Sequence, residues 1–206
     1  MTGVGIRYFL YLLSTYFLGE VLILETRLLG PADMYSEWGI VERLHSGMLF
    51  LAVIFALISA WRSPTCRELA ICLAAMLFML LLRENDATFE LFLPHGVWKY
   101  FAAVVAVAVT VYAVPRLKRI MIQANEYVRS AAFGMFATAV IVLAFSRFFG
   151  QTTHWKLVMG EQYMRHVKNA AEEGVELLAL TLVAMAMLEF LFMSRSMKAV
   201  SLTGNQ

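Results

Sequence analysis

The chain alternates long apolar runs with short polar breaks, and the runs have the length of membrane-crossing helices. About 20 predominantly apolar residues cross a hydrocarbon core. The runs that reach or approach this length are Tyr8–Leu24, Val41–Trp61, Leu69–Arg83, Val97–Val114, Ser130–Phe149 and Val175–Met193. The third is the shortest and is expected to extend past Arg83. Gly30-Pro31, Ser63-Pro64, Pro94-His95-Gly96 and Pro115 mark the cuts, because Gly and Pro are the strongest punctuation of regular structure. The connections are short, so helices adjacent in sequence should be antiparallel neighbours. The pattern predicts an all-α polytopic membrane protein, a compact bundle of six transmembrane helices forming a single integral membrane domain over residues 1–206. It contains no internal repeat, low-complexity tract or soluble domain.

Composition agrees. Apolar residues make up 61% of the 206, mean hydropathy is +0.70, and only 16% are charged, against about 25% in soluble domains. A net charge of +2 gives a nucleic-acid partner no electrostatic footing; the partner that composition demands is the lipid bilayer. Cys66 and Cys72 have neither disulfide-framework nor metal-pair spacing. Arg7 precedes the first apolar run, but Glu20 and Glu25 fall where a signal-cleavage site would lie, so this helix is expected to be retained.

Charge changes the picture by its distribution. One face carries the N-terminus, the 62–68 and 115–129 connections and the C-terminal tail; it holds nine Lys/Arg and three Asp/Glu, and the opposite face holds eight Lys/Arg, twelve Asp/Glu and all four His. The 115–129 connection has four basic residues and one acid. This places the basic face, with both termini, in the cytoplasm. Compact loops suit a bacterial inner membrane, with the acidic face toward the periplasm.

On that acidic face the polar residues concentrate. Glu42 and His45 are i, i+3 and share a helix face, a spacing by which bundle helices offer two ligands to one metal. The alternative is an interfacial ion-pair cluster in which Glu42 favours the helix dipole. Arg83-Glu84-Asn85-Asp86 ends the third run, and His95 follows Pro94. Converging carboxylates need a cation or a metal to neutralise them, and Arg83 can supply that charge itself. At 100° per residue Arg165, Asn169, Glu172 and Glu176 form one row with His166 and Glu173 beside it, a stripe of about 120°, the width of one buried helix face. Gly174 lets a neighbouring helix come close. Glu20 lies about 20 Å along the first helix, so its partner is expected on another helix, Arg147 or Arg83. The piece around Arg119–Arg129 is amphipathic and should lie along the cytoplasmic surface.

These residues frame three functions. The leading reading is a membrane subunit, assembly or partner-binding protein, with a membrane-protein partner or a second copy against the polar cluster. The second is a membrane-embedded enzyme, a metal-dependent hydrolase with its site open to the periplasm, where Glu42, His45, Asp86, His166 and Glu173 are the candidate ligands for Zn, Mn or Fe. The third is a carrier of cations, protons or small solutes using Glu20 and Glu176, against which stands the near absence of polar residues midway along helices three to five. Gly-rich phosphate loops, nucleophile elbows and His-Glu-x-x-His motifs are absent.

Overall fold

The computed structural model describes residues 2–29, 35 and 39–203, with side chains for all of these except Thr2 and residues 195–203. The Gly30-Pro31 break lies outside the described residues, as do the side chains of Arg195 and Lys198. The chain is helical with no strand among the described residues: α1 (Thr2–Leu28), α2 (Ile40–Arg62), α3 (Arg67–Glu84), α4 (Asp86–Glu90), α5 (Trp98–Ala113), α6 (Leu117–Val128), α7 (Ala131–Phe149), α8 (Thr152–Met159) and α9 (Arg165–Thr203). In lipid this is the expected outcome, because a helix satisfies its own backbone hydrogen bonds.

Among the described residues, five segments are long and apolar enough to cross a membrane: Gly3–Leu28, Ile40–Arg62, Trp98–Val128, Ala131–Phe149 and Arg165–Ser194. The difference from six lies in α3. It stops at Glu84 rather than running on, and its 18 residues carry Arg67, Glu68, Arg83 and Glu84 at the two ends. At 1.5 Å per residue it is about 27 Å long, slightly short of a hydrocarbon core. Pro115 does not break the fourth run: a single 3-10 turn, Val114–Arg116, carries α5 into α6. The polar stripe from Arg165 and the apolar run after it are one helix, α9, of 39 residues.

The chain divides into two compact units, Met1–His45 with Thr138–Leu182 and Ser46–Ala137 with Val183–Gln206. In the first, Tyr35, Val41 and Leu177 form a buried cluster with Leu18, Val21, Leu22, Leu44 and Ala170 around it. Gly174 of α9 faces Leu22 of α1: a Cβ at that position would come within 3.2 Å of a Leu22 methyl, which would have to give by a few tenths of an ångström. In the second unit α3 lies against α5 and α6 and buries Leu69, Ala70, Leu73, Ala74 and Leu77. The Tyr127 ring at the end of α6 packs edge-on against Phe190 at 5.1 Å and Phe133 at 5.5 Å.

Candidate metal centre

The site is built on the first two turns of α2 and the third turn of α9. Glu42 and His45 are one turn apart on α2, and His45 is fully buried. Its Nδ1 lies 3.6 Å from a Glu42 carboxylate oxygen and 3.7 Å from a Glu173 carboxylate oxygen, and each of those carboxylates is about a quarter exposed, at 25% and 24%. The other ring nitrogen, Nε2, is 3.2 Å from the backbone carbonyl of Glu173. A carbonyl only accepts, so Nε2 carries the hydrogen and donates it. In the neutral ring this leaves the Nδ1 lone pair facing two carboxylates. One ligand atom from each of Glu42, His45 and Glu173 lies within 4.8 Å of the other two.

That spacing has chemical meaning. At 3.6 and 3.7 Å, Nδ1 stands beyond ordinary hydrogen-bond distance from both carboxylates. Ligands bound at about 2.1 Å to one tetrahedral ion are about 3.4 Å apart; the two imidazole–carboxylate separations lie within tenths of an ångström of that, and atoms as much as 4.8 Å apart close on one ion by a side-chain movement of about an ångström. One imidazole and two carboxylates form a mixed N/O donor set suited to Zn, Mn or Fe(II). The Nε2–H···O=C bond is the kind of outer support that holds a ligating imidazole in one tautomer and orientation.

The rest of the α9 stripe fixes that helix. Glu176 forms an ion pair with Arg147 of α7 and accepts a hydrogen bond from Ser146 Oγ at 3.2 Å. Lys168 Nζ donates to Glu172 at 2.7 Å and to the Gly150 carbonyl at 3.4 Å. Asn169 Nδ2 donates to the Tyr35 carbonyl at 3.4 Å. Arg165 is exposed and His166 half-buried; among the described residues His166 is not one of the groups converging with His45.

The inter-helix partner expected for Glu20 is corrected. Arg147 serves Glu176, whereas Glu20 is exposed. Arg83, Glu84, Asp86 and His95 belong to the second unit. There Arg83 is exposed, Glu84 and Asp86 are half-buried, the Asp86 Oδ1 is buried with no hydrogen-bond partner among the described residues, and His95 pairs with Glu90.

Sequence reasoning missed Glu25. It is fully buried, and its two carboxylate oxygens accept the backbone N–H of Tyr35 at 2.8 Å and of Val41 at 2.7 Å. Val41 is the second residue of α2, so a carboxylate on α1 caps the helix that carries Glu42 and His45, satisfying an amide that has no partner within its own helix. The signal that could have found it is the helical wheel, which puts Glu25 on the α1 face of Leu18, Val21 and Leu22. The chain matches no family model, no curated protein and no solved structure.

Proposed function

We propose that this chain is a metal-dependent membrane protein, with one divalent transition metal held by Glu42, His45 and Glu173 near the periplasmic face of a bacterial inner membrane, and that it acts as a hydrolase. The observation that carries the reading is the convergence of three ligand atoms within 4.8 Å of one another, on an imidazole whose other nitrogen is anchored. Three protein ligands leave a coordination position for water, the arrangement of catalytic rather than structural metal sites. The partial exposure of both carboxylates supports access for that water. A metal bound there supplies an acidified water and a Lewis acid for a polarised carbonyl or phosphoryl group.

The test is direct. Protein purified without chelators is expected to carry one Zn, Mn or Fe per chain by elemental analysis, removed by a strong chelator and restored on re-addition. His45→Asn and Glu173→Gln are expected to weaken binding at least tenfold while helical content is retained. Folded protein that takes up none of the three metals stoichiometrically refutes the reading. A metal that binds without hydrolysis of ester, amide or phosphoester probes refutes the hydrolase alone.

A further inference from the structure

Helix α6 divides into sides of different character. At 100° per residue, Ile120, Gln123, Ala124 and Tyr127 share one side, and protein holds it. Gln123 Nε2 donates to Glu68 of α3 at 2.6 Å, Gln123 Oε1 accepts the Leu69 N–H at 2.8 Å, and the Tyr127 ring lies 5.1 Å from that of Phe190 on α9. The next side is an apolar stripe, Leu117, Met121 and Val128, exposed by 59%, 65% and 52%. Beside that stripe runs a polar row of Lys118, Asn125 and Arg129, all exposed. Ile122 and Glu126, also exposed, bound the row on its far side. The two other arginines are engaged within the protein: Arg119 lies 3.4 Å from Glu68, and Arg116 stands over the Tyr112 ring at 4.3 Å.

The place of α6 in the chain sets its depth. Trp98–Val128 is 31 residues long, about 46 Å of helix against about 30 Å of hydrocarbon. α6 is the surplus at its end, and the next apolar span, α7, begins at Ala131. A helix between two spans has both its ends on one membrane face.

We infer that α6 lies in the headgroup layer of that face and binds anionic phospholipid, with Leu117, Met121 and Val128 in the acyl boundary and Lys118 and Arg129 on headgroup phosphates. An apolar stripe beside a cationic row matches the order in which a leaflet presents acyl chain and phosphate. Charge complementarity selects the headgroup. From Arg116 to Arg129 the chain carries Arg116, Lys118, Arg119 and Arg129 against Glu126 alone. A zwitterionic lipid fills the apolar stripe equally well, but each Lys or Arg near the surface favours an anionic one by about fivefold. Lys118 and Arg129 stand about 16 Å apart along the chain axis, so each meets a different headgroup.

The experiment uses the full chain in nanodiscs of mixed phosphatidylcholine and phosphatidylglycerol. In a Cys66→Ser/Cys72→Ala background, a fluorophore on Met121→Cys is expected to be quenched by phospholipid brominated near the top of its acyl chains. The same fluorophore on Asn125→Cys is expected to be quenched more strongly by aqueous acrylamide. Native mass spectrometry of the chain with the two lipids in competition is expected to show a preference for phosphatidylglycerol. That preference should fall at least tenfold in Lys118→Gln/Arg129→Gln, fall with salt, and stay unchanged in Lys156→Gln on α8. Thermal unfolding of each variant separates loss of lipid binding from loss of fold. Acrylamide reaching Met121→Cys as freely as Asn125→Cys overturns the inference. So does a parent chain that does not discriminate between the lipids, or a preference that survives in the folded double variant.

Discussion

His45 meets Glu173 at both ends of its ring: Nε2 lies 3.2 Å from the Glu173 carbonyl and Nδ1 3.7 Å from the Glu173 carboxylate. One residue of α9 therefore both orients the imidazole and offers a ligand beside it. Because the ring is fully buried, His45→Ala removes packing and a hydrogen bond together. The expected cost is about 2–4 kcal/mol, measured by unfolding in detergent. His45→Gln, which keeps a donor and most of the volume, should cost less. A His45→Ala variant as stable as the parent would mean the ring is not held as described.

Gly150 is required by a carboxylate rather than by backbone conformation. A Cβ there would stand 2.2 Å from Glu172 Oε1 and 2.8 Å from its Cδ. The Glu172 side chain is flexible and can swing away, but it then leaves Lys168, now at 2.7 Å. Gly150→Ala should destabilise by about 1 kcal/mol. Shortening the obstacle in Gly150→Ala/Glu172→Ala should recover most of the clash term, so the double variant should be more stable than the sum of the singles. Simple additivity would show that the two residues do not touch.

Glu25 links α1 to the start of α2 through two amides. Glu25→Ala strands the Tyr35 and Val41 N–H groups in a buried site, at about 1–3 kcal/mol for each unsatisfied donor. Glu25→Gln keeps one strong acceptor and should lose roughly half as much. Since α2 presents Glu42 and His45, Glu25→Ala should also weaken metal binding without touching a ligand. Equal stability of the parent and Glu25→Ala would remove this capping role.

The helices and half of the candidate site are legible in the amino-acid sequence. Apolar runs of membrane length specify the elements, and Glu42 and His45 are paired by local geometry alone. Glu172, Glu173 and Glu176 are legible as one stripe. Which of them faces His45 depends on the rotation of α9 against α2, a tertiary quantity that no local period encodes. The same limit explains Glu20 and Glu25. Both are carboxylates in one apolar run, and it is tertiary packing that leaves Glu25 buried and Glu20 exposed. Nor does a charge count show that Arg147 is taken by Glu176. Gln123 leaves no mark on a charge pattern because its amide is neutral, yet it links α6 to α3.

That link makes a pH-dependent prediction at Glu68, in the first turn of α3 and outside the five candidate spans. Gln123 Nε2 donates to its carboxylate at 2.6 Å, and Gln123 Oε1 accepts the Leu69 N–H at 2.8 Å. The Gln123 hydrogen bond, helped by Arg119 at 3.4 Å, holds the Glu68 carboxyl below its ordinary value of 4.5 against the opposing effect of burial. Arg119 is 75% exposed, so solvent screens its share and the amide dominates. A carboxyl depressed in the folded state binds fewer protons there than in the unfolded chain. Its stabilisation is therefore complete above the unfolded value and is lost as pH falls through the folded one. Stability measured in detergent from about pH 6 down to about pH 3 should thus fall less steeply in Glu68→Gln than in the parent. Gln123→Ala should flatten the same limb and leave the region above pH about 6 parallel to the parent. Identical acid limbs in all three proteins would show that Glu68 titrates as if exposed.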